Sequence, residues 1–243
     1  MKLNHLAIIM DGNRRWARMR TLQALAGHDR GAQTLEDIAR ELVSYDVSYL
    51  TVFAFSTENW RRSKLEVNAL LEIMRRFLRS KVDTLVADNV QLRILGDRSA
   101  FEPDLQALFA HAEDKTANCT GLMLNVALNY GGQQDIERAA ERMAADAVAS
   151  SGQTRPFSAY LETAELPPVD MLIRTGGEHR LSNFMLWDLS YAELYFTEIF
   201  WPDFDADELK KAISTFYQRQ RRFGGDADRR SSDEVDTAEE KLA

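Results

Sequence analysis

His5-Leu6-Ala7-Ile8-Ile9-Met10-Asp11-Gly12-Asn13-Arg14-Arg15-Trp16 is the stretch from which the fold can be read. Five apolar residues, Leu6 to Met10, are too few for a helix and predict a buried parallel strand. The strand runs into Asp11, Gly12 and Asn13. The last two tolerate left-handed backbone angles and expose main-chain N–H groups, as a phosphate cradle needs. Arg14 and Arg15 follow, and a guanidinium forks well onto phosphate oxygens. An acid beside two bases at a strand's carboxyl end points to a metal and a phosphorylated ligand, on the edge where open α/β sheets bind ligands. On this stretch alone a plainer reading stands equally: Asp11 caps the next helix and the arginines are solvated around its first turn.

Outward from it, strand and helix patterns alternate. Residues 31–45 carry Leu35, Ile38, Ala39 and Leu42 at helical spacing, and 49–55 read as a second buried strand. A long amphipathic helix follows, marked by Val67, Leu70, Leu71, Met74, Phe77, Leu78, Val82 and Leu85. Strands are predicted at 91–95, 122–128, 171–173 and 193–196, and helices at 103–116, 135–150 and 208–223. This alternation predicts one α/β domain with a central, mainly parallel six-stranded sheet flanked by helices. The domain should span 1–225, with 226–243 a charged, disordered tail.

A chain of 243 residues suits one domain with a sizeable core. Its net charge of −8 argues against a nucleic-acid partner. The lone Cys119 has no internal disulfide partner, which fits a reducing cytoplasm. No signal pattern or bilayer-spanning run is visible, so a soluble cytoplasmic protein is expected.

Three strand ends carry similar polar and basic equipment. Asp11 with Arg14 and Arg15 is the first, and Ser56, Glu58, Asn59 and Arg62 are the second. Arg174, Arg180 and Ser182 around Gly176-Gly177 are the third. Two groups of arginines suit two phosphate ligands better than one. Asp11 and Glu193 are the evident oxygen ligands, which favours Mg²⁺ over a softer metal. The chain lacks the P-loop and dinucleotide-fold glycine patterns, so an ordinary ATPase or dehydrogenase is poorly supported.

Met10-Asp11-Gly12-Asn13-Arg14-Arg15-Trp16, Phe55-Ser56-Thr57-Glu58-Asn59-Trp60 and Ile173-Arg174-Thr175-Gly176-Gly177-Glu178-His179-Arg180 resemble the signature motifs of cis-prenyltransferases. Asn125 to Gly132, Tyr191 to Phe196 and Arg221 to Gly225 resemble that family too, in family order. The resemblance implies the family's fold, with a hydrophobic tunnel along the helix that begins near Val67. It also implies a Mg²⁺-dependent transferase joining isopentenyl diphosphate to an allylic diphosphate, farnesyl diphosphate, with cis geometry. The expected product is undecaprenyl diphosphate, the lipid-carrier precursor of bacterial cell-wall polysaccharide. By motif, Asp11 and Glu193 would hold Mg²⁺, and Gly12, Asn13, Arg14, Arg15, Trp16 and His28 would surround the allylic diphosphate. Ser56, Thr57, Glu58, Trp60 and Arg62 match a second substrate-contacting motif. Arg174, His179, Arg180, Leu181 and Ser182 match the isopentenyl diphosphate site. Asn59 stands where the family is said to have its proton acceptor. A carboxamide is no base near neutral pH, so an orienting role is expected for it. A homodimer is implied, with Arg222 to Gly225 reaching the partner's site, as is peripheral membrane contact through the lipid product. Leu122 matches a position near the tunnel floor.

Two positions depart from the family's pattern. Ala24 replaces an arginine that contacts the allylic diphosphate, with Arg18, Arg20 and Arg30 as candidates to compensate, and Gln133 replaces another arginine. The alternatives are the same chemistry with a shorter product or another starter, and a non-catalytic accessory subunit.

Overall fold

Residues 2–219 are described by the computed structural model. Six strands, His5–Ile9 (β1), Tyr49–Ser56 (β2), Gln91–Leu95 (β3), Met123–Tyr130 (β4), Met171–Arg174 (β5) and Glu193–Phe196 (β6), form one parallel sheet in the order β3-β4-β2-β1-β5-β6. β1 is wholly buried, and its pleat divides it between two cores. Leu6 and Ile8 join the larger cluster on one face, and Ala7 and Ile9 the smaller one on the other. The helices are Asn13–Met19 (α1), Ala24–Val43 (α2), Lys64–Ala87 (α3), Pro103–Thr116 (α4), Gly132–Ala149 (α5) and Ala206–Gln218 (α6). Residues of α2, α3, α4 and α6 build the larger core, among them Ile38, Val82, Phe109 and Ile213.

The predicted strands are all present and lie within two residues of their expected bounds. Helix ends differ more. α1 is seven residues with only Ala17 buried, so apolar periodicity does not mark it. α2 begins at Ala24 rather than 31 because its first turns bury Gly27 and Gly31 against Asn13 instead of presenting apolar side chains. α6 stops at Gln218, short of 223: Arg219 turns to extended backbone, and its guanidinium donates to the Glu193 carboxylate (2.8 Å) and the Leu194 carbonyl (3.0 Å). The expected tail, and the Arg221–Gly225 motif, lie outside the described residues. No helix among the described residues is long and apolar enough to cross a membrane.

An acidic pair, Asp135 buried and Asp188 half-buried, sits on the smaller core's side. Asp135 accepts from the Tyr130 hydroxyl (3.1 Å) and the Glu162 N–H (3.0 Å), and Asp188 accepts from the Thr163 hydroxyl (2.9 Å). Burial, reinforced by the nearby Asp135 charge, pushes Asp188 up to about 6 from 3.8. The folded chain therefore holds a proton that the unfolded chain gives up. Any stability from that proton is present below 3.8 and lost as pH rises through about 6. Asp188→Asn should gain about 2 kcal/mol over the parent at neutral pH and nothing near pH 4. Paired urea titrations at the two pH values check this, and equal midpoints at neutral pH would contradict it.

Candidate active site

The first, second and third basic clusters fall on neighbouring strands, since β2, β1 and β5 are consecutive in the sheet. The turns after β1 and β5 are laced together. The Asp11 N–H donates to Thr175 Oγ1 (3.0 Å), and that hydroxyl donates back to the Asp11 carbonyl (2.8 Å). Two glycines allow this approach. Gly12 has φ 106°, and a Cβ there would meet the Phe200 side chain at 2.7 Å. Gly176 has φ 83°, and a Cβ there would meet the Arg15 guanidinium at 2.8 Å.

The Asp11 carboxylate is the hub. Its Oδ1 accepts from the Gly12 N–H (2.6 Å) and from Arg15 (3.2 Å), and its Oδ2 accepts from Arg174 (3.0 Å). Asp11 does not cap α1; Gly12 occupies the N-cap position, with no side-chain cap. Arg174 is 3% exposed and also donates to Ser182 Oγ (2.7 Å) and to the Arg180 carbonyl. Its Nε–H is buried without a partner among the described residues.

The second cluster is one 3₁₀ turn, Thr57–Arg61, closed by a reciprocal cap. Ser56 accepts from the Asn59 N–H, while Asn59 Oδ1 accepts from the Ser56 N–H (3.1 Å). That bond occupies the amide oxygen and leaves the NH₂ group for a ligand. Trp60 anchors the turn, its indole N–H donating to Asn129 Oδ1 (2.8 Å) and its ring packing on Phe55 and Phe101. Burial would raise Glu58, but the hydrogen bonds it accepts from its own backbone, Ser56 and Asn183 hold it below the usual carboxylate range. Arg62 pairs with Glu66 (2.9 Å), which also meets Arg14 (3.4 Å).

Two polar pockets open here, of about 700 and 660 Å³. The first is walled by Arg14, Arg15, Arg18 and Ala24, and the second by Ser56, Glu58, Asn59, Arg174, Arg180 and Ser182. Asp11, Asn13, His28 and Arg62 line both. A third pocket of about 130 Å³ is apolar, bounded by Leu35, Leu70, Met74 and Phe77 of α2 and α3 and by Ile94 and Val126 of the sheet. Met10, Asn13 and His28 are common to all three. Leu122 is buried elsewhere in the core and does not line the apolar pocket. Burial first, then the charges of Arg62 and Arg14, push His28 down to about 4, so the ring is neutral at pH 7. Its Nε2 is buried and without a partner among the described residues.

Other sequence candidates stand apart. The Trp16 indole donates to Asp203 (2.7 Å), and Arg20 pairs with the same carboxylate (3.0 Å). His179 stacks on Phe196, Leu181 packs against the smaller core, and Thr57 Oγ1 is buried without a partner among the described residues. Glu193 opens β6, in register with Met171 and thus with Leu6. Asp11 lies five residues further along, about 16 Å at the rise of a strand, so a single chain does not bring the two acids together. Of the three arginines proposed to stand in for the family's contact at Ala24, Arg20 is tied to Asp203 and Arg30 to Asp37 (3.7 Å). Arg18 lines the pocket and makes no ion pair among the described residues.

Sequence reasoning missed Glu66, Thr175 and Asn183. Asn183 accepts from the Gln133 N–H (2.8 Å), receives the Gly132 N–H on its carbonyl (2.6 Å), and reaches Glu58 (3.4 Å). It thereby ties the second and third clusters together. Glu66 was discoverable as the i+4 partner of Arg62. Thr175 acts through a contact 164 residues away and Asn183 through contacts 50 to 125 residues away, which no local pattern signals.

Residues 9–224 match the family model described as "Putative undecaprenyl diphosphate synthase". A relative in Pseudomonas syringae pv. tomato, named ditrans,polycis-undecaprenyl-diphosphate synthase ((2E,6E)-farnesyl-diphosphate specific), is 47% identical over 225 residues, covering 90% of each chain. Among solved structures, lavandulyl diphosphate synthase from Lavandula x intermedia, in complex with dimethylallyl diphosphate, superposes with a TM-score of 0.86 at 38% identity. That match covers 91% of this chain and 98% of the other. A probable undecaprenyl diphosphate synthase from Campylobacter jejuni gives a TM-score of 0.77 at 35% identity, covering 92% and 99%.

Proposed function

The chain belongs to the undecaprenyl diphosphate synthase family, and on that footing we propose that it extends farnesyl diphosphate with isopentenyl diphosphate to undecaprenyl diphosphate, forming cis double bonds. One observation carries the reading. Asp11 lines two basic pockets at once, and both share residues with an apolar pocket. Two diphosphates and one hydrocarbon tail need that arrangement.

The allylic diphosphate sits among Arg14, Arg15, Arg18 and Arg62, and its tail enters the apolar pocket. The isopentenyl diphosphate is held by Arg174, Arg180 and Ser182, with the Asn59 NH₂ orienting it. The carbon–oxygen bond of the allylic ester breaks, and its electron pair leaves with diphosphate. The isopentenyl double bond attacks the vacated carbon, and a proton is lost to the departing diphosphate or a water. The fixed arginines stabilise the negative charge where it develops. Neutral His28 offers hydrogen bonding without adding charge.

Mg²⁺ fits as a substrate-carried ion. No group of three or more metal-ligating side chains occurs among the described residues, and one carboxylate plus phosphate oxygens is a usual Mg²⁺ set. Asp11 would hold it, and when bound it neutralises the departing diphosphate. Glu193 could take part only across a subunit boundary. Tyr191, Leu194 and Tyr217 are exposed around the edge strand β6, which supports a homodimer through that side.

Purified protein given Mg²⁺, farnesyl diphosphate and labelled isopentenyl diphosphate should yield a polyprenyl product of undecaprenyl length on chromatography. Short products would shift the reading to another chain length. No incorporation with any allylic starter would leave an accessory role.

A further inference from the structure

The mouth of the first polar pocket carries more apolar surface than diphosphate binding requires. Arg18, Leu22 and Arg62 line that pocket. Met19 and Leu22, at the end of α1 and in the turn after it, are 71% and 47% exposed, and Leu25 in the first turn of α2 is 37% exposed. Across the opening the Arg14–Glu66 ion pair joins α1 to the first turn of α3, where Leu65 is 84% exposed. Single exposed leucines are ordinary, and Val43, Val86 and Val148 are of that kind. Here Leu22 lines the pocket, Met19 and Leu25 directly follow its lining residues Arg18 and Ala24, and Leu65 precedes the Glu66 that pairs with Arg14 and Arg62, so the four form a patch about its mouth.

The charge around this patch is opposite to that of the whole chain. The net charge is −8, yet Arg18 in the pocket wall, and Arg61 and Lys64 next to the lining Arg62 in the chain, are exposed and make no ion pair among the described residues. Their neighbours Arg14 and Arg62 are held by Glu66. Apolar side chains that can enter the acyl boundary, flanked by free cations, match an anionic bilayer surface. The pocket behind the rim shares Met10, Asn13 and His28 with the apolar pocket, so a hydrocarbon chain and its diphosphate would both leave by this opening.

We propose that Met19, Leu22, Leu25 and Leu65, with Arg18, Arg61 and Lys64, form a docking surface for an anionic lipid bilayer that delivers the product at the membrane face. The delivery role rests on the prenyl diphosphate reading of the pockets; the docking itself does not.

The test is sedimentation of the full chain with phosphatidylcholine vesicles and with vesicles containing phosphatidylglycerol, at low and high salt. The parent should pellet with the anionic vesicles only and be released by salt. Lys64→Gln should weaken that partitioning about fivefold, and Met19→Gln/Leu65→Gln tenfold or more. Both variants should keep the parent's turnover in detergent, because these residues are exposed and line none of the three pockets. Pelleting of the double variant at the parent's level, or equal pelleting with both vesicle types, overturns the proposal. So does a double variant that changes only the sedimentation mass of the protein without vesicles, which would assign the patch to a second copy of the chain. Vesicle binding without prenyl transfer would instead sink the functional reading and leave the docking surface standing.

Discussion

Asp11→Ala should lower turnover by about 10²–10³-fold with farnesyl and isopentenyl diphosphates. The carboxylate is the one group that borders both basic pockets while bonded to Arg174, Arg15 and the Gly12 N–H. Its removal takes away the anchor for the metal and also leaves the buried Arg174 guanidinium without its anion. That second effect destabilises the fold by about 3 kcal/mol or more, as breaking a buried pair does. Asp11→Asn separates the two consequences. It keeps an acceptor of the same shape for Arg174, so its melting temperature should stay closer to the parent's, but its turnover should fall as far as that of the alanine variant. An asparagine variant retaining more than about a tenth of the parent's turnover would remove the metal-anchoring role.

Arg174→Lys should raise KM for isopentenyl diphosphate by about tenfold to a hundredfold and leave KM for the allylic starter nearly unchanged. The guanidinium at 174 reaches Asp11 with one arm and Ser182 and the Arg180 carbonyl with the other. It therefore holds the loop after β5 onto the turn after β1. A lysine carries the charge but has no planar fork, so it can keep one of these partners and must release the rest. The partnerless Nε–H sharpens the expectation, because a buried donor without an acceptor is costly and awaits one from a ligand. Separate titrations of the two substrates decide the matter. Equal rises in both KM values would point to general loosening, and an isopentenyl KM within about twofold of the parent would show that the fork is dispensable.

The fold was legible because each strand is short, apolar and followed by polar turn residues, so β1 to β6 announce themselves locally. The three basic clusters were legible for the same reason, and the parallel sheet then places them side by side. The helical beginnings were not. α1 shows one buried side chain, and the first turns of α2 are packed through glycines, which leave no apolar signature. Within the site, residue type identified Asp11, Asn59 and Arg174 but not their connections. Trp16 and Trp60 carry motif positions, yet one braces α1 against Asp203 and the other pins the 3₁₀ turn to Asn129. Glu193 shows the limit most clearly. Its place at the opposite end of the strands from Asp11 follows from sheet register, a long-range property that no local string contains.

The position of β1 between β2 and β5 has a consequence for how the chain reaches this state. One flank of β1 pairs with residues some forty positions away, but the other must wait for Met171 and beyond. The capping of Asn4 and His5 by Asp170 spans a similar distance. During synthesis the most hydrophobic strand thus spends most of translation with one edge unpaired, and closing so long a loop is slow. The catalytic turn after β1 is completed only by that closure. A nascent or truncated chain can accordingly hold much of the sheet and yet lack the site, and the exposed edge of β1 is where chaperones and misassembly would compete for it.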